Sequence, residues 1–157
     1  MLTAHRRAGF TLVELVTTII LIAILSVVVI PRLFTTSSYS AFTLREEFIA
    51  ELRKVQIMAM NNQDRCYRLS VTASQYQVSR YNGDCSGTPT RTDAAQTFQG
   101  GASLVLTNTT TTNFNVEFNA QGVPIVNGSL CSGRCITVLA DETQFIAIES
   151  EGYIHAG

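Results

Sequence analysis

Tryptophan is absent, histidine occurs only at positions 5 and 155, and charged residues make up 15% of the 157-residue chain. With so few imidazoles, histidine-based catalysis has little to draw on, and neither a GxSxG nor an HExxH signature occurs. Enzymatic chemistry is not expected, and no motif calls for a metal or other cofactor. A net charge of −1 gives no bulk field for nucleic acid or for an acidic substrate. The length allows one globular core with an appendage, not two substantial cores.

Apolar residues are unevenly spread. Met1 to Gly9 carries His5, Arg6 and Arg7 and no acid, and reads as a positive-inside leader. Phe10 to Ile30, FTLVELVTTIILIAILSVVVI, has 21 residues and matches a hydrocarbon core of roughly 30 Å as one helix. Pro31 should kink that helix or end it. An ordinary secretory signal with a cut near Ser38 and Ser40 is the plain alternative, but its apolar core is usually only about 7 to 15 residues and has no use for Glu14. A simple membrane anchor has no use for that acid either.

Glu14 carries the functional signal. An ionised carboxylate in an apolar helix costs at least about 2.5 kcal/mol on insertion scales. Cleavage after Gly9 would free the amine of Phe10, and a neighbouring subunit shifted along the helix axis could set that cation against Glu14.

Beyond residue 40, Leu44, Phe48, Leu52, Val55 and Ala59 form one apolar stripe at helical spacing, with Arg45, Glu46, Arg53 and Lys54 on the solvent side. Asn61 and Asn62 should end that helix. From Cys66 the pattern changes to period two. A turn at Ala73 and Ser74 would pair Val71 with Tyr76, Ser70 with Gln77 and Leu69 with Val78. Further strands are expected at 103–107, 114–118, 135–140, 143–149 and 152–156, with surface loops at 82–93 and 108–113.

The four cysteines, Cys66, Cys85, Cys131 and Cys135, all follow the apolar run, and an oxidising compartment would pair them. Three pairings are possible; the local one joins 66 to 85 and 131 to 135. A metal or redox site at Cys131 and Cys135 near His155 is the competing use. Arg65, Arg68 and Arg80 with Tyr67 and Tyr81 could form a basic aromatic patch for nucleic acid or glycan, or be plain solvated edge residues.

The basic leader ending in Gly9, the sequence Phe10-Thr11-Leu12-Val13-Glu14-Leu15 and the apolar helix resemble the type IV prepilin and pseudopilin family over about the first 60 residues. The head, through FNAQGVPI (118–125) and the segment 135–154, is similar to minor pilins of the mannose-sensitive haemagglutinin (MSHA) type and to H-type pseudopilins. The resemblance implies cleavage between Gly9 and Phe10 by a prepilin peptidase, N-methylation of Phe10, registration through Glu14 and a kink at Pro31. It implies an α+β fold in which a long kinked N-terminal helix packs on an antiparallel sheet. Its parts would be a leader at 1–9, a transmembrane or filament-core half-helix at 10–31, an amphipathic half-helix at 32–62 and a β-rich head at 63–157. Implied partners are other pilin or pseudopilin subunits, the peptidase, an inner-membrane assembly platform and, before assembly, the membrane. The chain would sit in the inner membrane with its head in the periplasm, then in a surface pilus used for attachment, or alternatively in a type II secretion pseudopilus.

Overall fold

The structure is a computed structural model that describes residues 10–33 and 41–157, with side chains described over 10–26 and 41–157. The chain divides into two compact units, residues 1–35 and 36–157. The predicted leader and the segment 34–40 lie outside the described residues.

In the first unit, helix α1 spans Leu12–Leu33. It continues over Pro31 rather than stopping there. Pro31's side chain and the chain beyond residue 33 fall outside the description, so the predicted kink does too.

In the second unit, helix α2 spans Ala41–Asn61, and the predicted stripe is its buried face: Leu44, Phe48, Leu52, Val55 and Ala59, joined by Ala41 and Ile49. Burying each large member is worth roughly 1.5–3 kcal/mol, far more than helix propensity supplies. The helix start is capped at long range, the Ala41 N–H donating to Asp141 Oδ1 at 2.8 Å. At the other end Asn62 Nδ2 donates to the Met58 carbonyl at 2.8 Å.

The strands are β1 Arg65–Val71, β2 Gln75–Asn82, β3 Arg91–Thr92, β4 Gln96–Thr97, β5 Ser103–Leu106, β6 Phe114–Phe118, β7 Pro124–Val126, β8 Ser129–Leu130, β9 Gly133–Leu139, β10 Thr143–Ile148 and β11 Ile154–Ala156. The β1–β2 hairpin has the register read from the sequence, Val71 opposite Tyr76 and Leu69 opposite Val78. The single expected sheet is corrected to two. A seven-stranded antiparallel sheet runs β3-β2-β1-β6-β7-β8 with β4 also on β2, and a four-stranded one runs β11-β10-β9-β5. The predicted loop at 82–93 contains β3, and β4, β7 and β8 were not foreseen. Helix α2 touches strands of both sheets, and one core joins Phe48 and Leu52 to Leu69 and Val116 of the larger sheet and Ile146 and Ile148 of the smaller. Phe48 meets Tyr76 edge to face, centroids 5.2 Å apart.

Candidate functional site

Helix α1 begins with a self-contained cap. Thr11 Oγ1 accepts the Glu14 N–H at 3.2 Å, and the Leu15 N–H reaches the Thr11 carbonyl at 3.2 Å as the first helical bond. Thr11-x-x-Glu14 therefore has capping-box spacing, a signal the sequence reading passed over. It also gives Glu14 a local role, since an acid in the first turn gains about 0.3–1 kcal/mol from the helix dipole. That is smaller than the cost of about 2.5 kcal/mol for a carboxylate in an apolar medium, so the cap alone does not account for Glu14 in such surroundings.

The rest of the helix avoids exposing polar groups. Thr17, Thr18 and Ser26 turn their hydroxyls back onto the carbonyls of Glu14, Leu15 and Ile22 at 3.0, 2.8 and 2.7 Å. Every large apolar side chain from Leu12 to Leu25 is exposed, Val16 least at 39%. Apart from the short face shared by Glu14, Thr17 and Thr18 at i, i+3 and i+4, the described part of the helix is apolar. A helix this apolar is stable inside lipid or among other apolar surfaces. Glu14 is the one charge among the described side chains of α1. Phe10 is exposed just outside the helix, and Gly9 lies outside the described residues.

Residues 4–30 match the prokaryotic N-terminal methylation motif. The motif is of the type IV prepilin kind, and the match covers this N-terminal segment and not the rest of the chain. Neither curated proteins nor solved structures gave a match to the chain. Among the described residues no helix is long and apolar enough to cross a membrane. The described side chains of α1 end at Ser26, a stretch of about 22 Å at 1.5 Å per residue, whereas the methylation motif extends to Ile30.

In the head, disulfides join Cys66 to Cys85 and Cys131 to Cys135, and no described cysteine is free. Cys131 and Cys135, two ligands of the metal alternative, are bonded to each other, and His155 Nε2 lies 3.0 Å from Glu149 Oε1. Cys66, Cys85 and Glu117 come close enough to share an ion, but two of the three ligands are consumed by a disulfide.

The basic aromatic patch does not form as one surface. In the β1–β2 register Arg68 and Tyr81 share one face, Arg80 and Tyr67 the other, and both tyrosines are buried. Arg68 is no solvated edge residue either. β1 lies between β2 and β6, and the Arg68 guanidinium donates from Nε to Glu117 Oε1 at 2.6 Å, from Nη2 to the Cys85 carbonyl at 2.7 Å, and sits over the Tyr81 ring. Burial opposes its charge, but Glu117 and Tyr81 together outweigh that and raise its pKa above the ordinary arginine value. Arg45 and Arg53, expected on the solvent face of α2, instead reach the smaller sheet, donating to Gln144 Oε1 and to the Ile154 carbonyl, each at 2.7 Å.

Proposed function

We propose that this chain is a minor pilin of a type IV pilus. A peptidase cuts between Gly9 and Phe10, Phe10 is N-methylated, and the subunit passes from the inner membrane into a surface fibre used for attachment. The observation that carries this reading is Glu14, the one charge among the described side chains of a predominantly apolar helix within the methylation motif. The freed Phe10 amine of a neighbouring subunit supplies the counter-charge, which favours assembly and sets its register. The two disulfides suit a head on the oxidising side of the membrane. In this reading residues 10–31 form the filament-core half of the helix, Pro31 bends it, 32–62 form its amphipathic half and 63–157 the β-rich head.

N-terminal sequencing of envelope-derived protein is the direct test. A chain beginning at methylated Phe10 supports the reading; one that retains Met1 or begins near Ala41 overturns it. The same motif is compatible with a pseudopilin of type II secretion. Sheared surface fibres separate the two, because a minor pilin is recovered in them and a pseudopilin stays with the envelope and is needed for exoprotein release.

A further inference from the structure

Strand β2 has a poorly covered outer edge. β3 and β4 each pair with it over two residues, with 93–95 between them. Two adjoining cavities lie between this edge and α2, of about 230 and 330 Å³, and they share Lys54, Val78 and Asp93.

The smaller cavity is floored by Met58, Tyr67 and Val78 and rimmed by three cations, Lys54, Arg80 and Arg91. Two are already neutralised. Lys54 Nζ lies 2.7 Å from Glu51 Oε1, and Arg91 Nε lies 2.9 Å from Asp93 Oδ1. Arg80 makes no ion pair among the described residues, its polar side-chain contact being a long one of 3.4 Å from Nε to Thr90 Oγ1. The cavity therefore holds one half-buried guanidinium with its planar fork unspent.

We propose that this groove binds a carboxylated sugar residue, with Arg80 as the counter-ion of the carboxylate. A single fork matches one carboxylate, with two parallel N–H···O bonds. Asp93 and Gln96 offer a carboxyl and an amide group that bind sugar hydroxyls, and the apolar floor suits a ring face. A nucleic-acid strand fits less well. Glu47, Glu51 and Asp93 line the same groove and repel a polyanion, while Tyr67 and Tyr76 are too buried to stack bases. The site lies wholly within residues 36–157, so it stands or falls independently of the role of α1.

The test is titration of the full chain in non-ionic detergent with methyl β-D-glucuronide and with its uncharged match, methyl β-D-glucoside, by ligand-observed NMR. Saturable glucuronide binding is expected, with the glucoside weaker by about tenfold or more, the range for losing a charge-assisted hydrogen-bond pair. Arg80→Gln should weaken the glucuronide by a similar factor, and Arg80→Lys should recover only part of it. Arg65→Gln removes the same charge from the exposed start of β1 and should change nothing. Should Arg80→Gln disturb folding, Ala50→Phe blocks the groove from an exposed helix position and should also reduce binding. Equal binding of the two sugars, no binding of either, equal losses with Arg65→Gln and Arg80→Gln, or displacement of the glucuronide by a short single-stranded oligonucleotide would each overturn the proposal.

Discussion

The side-chain amide of Gln56 donates to the carbonyl oxygen of Gly152 at 2.6 Å, and the same nitrogen donates to the Gly122 carbonyl at 2.8 Å. One amide on α2 thus holds the turn after β6 in the larger sheet and the turn after β10 in the smaller. Gly152 has φ +88°, and a Cβ there would run into the Gly122 carbonyl and the Gln56 amide. Gly152→Ala therefore combines backbone strain with a clash against rigid main chain and should cost about 3 kcal/mol. Gln56→Ala, which loses two hydrogen bonds, should cost about 1–2 kcal/mol. Urea denaturation of the full chain in detergent micelles compares them; an alanine at 152 no more harmful than one at 56 would contradict the clash.

Arg68 and Glu117 should behave as a half-buried ion pair, their side chains being 27% and 23% exposed. Glu117→Leu leaves the guanidinium facing only the Cys85 carbonyl and the Tyr81 ring, and should destabilise by about 1–2 kcal/mol after allowance for solvent. Adding Arg68→Met should restore part of the loss. A double variant worse than the sum of the singles argues against the pairing.

His155 gives the head a pH dependence. The hydrogen bond to Glu149, then that to the Ala156 carbonyl, raises its pKa above the ordinary value of 6.5. The stabilisation of β11 is thus fully present below about pH 6.5 and is lost as the pH rises through the higher folded value. Hydrogen exchange at the β11 amides should accelerate across that window, and His155→Gln should flatten the change. Asp84 works in the opposite sense. The Ser86 hydroxyl and backbone N–H hold its pKa below the ordinary carboxylate value, so its contribution is lost as the pH falls through that lowered value.

Of the two disulfides, Cys66–Cys85, with a sequence separation of 19, should stabilise more than Cys131–Cys135, with a separation of 4. Loop-closure entropy gives about 3 kcal/mol for the first and about 2 kcal/mol for the second. Paired serine replacements followed by thermal melting rank them, and the reverse order would show that loop closure is not the dominant effect.

The two roles open to Glu14 separate by substitution. Glu14→Gln keeps a capping-box side chain and removes the charge, whereas Thr11→Val removes the hydroxyl cap and keeps the charge. If the charge matters most, filament yield falls to near background in Glu14→Gln, leader cleavage continues, and Thr11→Val assembles at a reduced level. Normal fibres from Glu14→Gln would remove the electrostatic argument.

The features legible in the sequence were those set by one element or one hairpin. The stripe from Leu44 to Ala59 is periodic because one helix face is buried, and the Ala73-Ser74 turn leaves the Leu69–Val78 pairing little freedom. The division into two sheets was not legible. Strand β5 pairs with β9 and β6 pairs with β1, choices made by long-range contacts rather than by local pattern. Two-residue strands such as β3 and β8 are too short to show a period. The role of Arg68 was hidden because its partner Glu117 is 49 residues away, and the Thr11 cap because it lies inside the apolar run, whose hydropathy masks a helix start.

Four polar latches on helix α2 come from late in the chain: Asp141 caps its start, Gln144 holds Arg45, Ile154 holds Arg53 and Gly152 holds Gln56. A chain made from its N-terminus therefore lacks these four latches on α2 until residues 141–154 have been added. Truncation before residue 141 would therefore remove all four of these fastenings at once, although the hydrophobic contacts of α2 with β1 and β6 would be left in place.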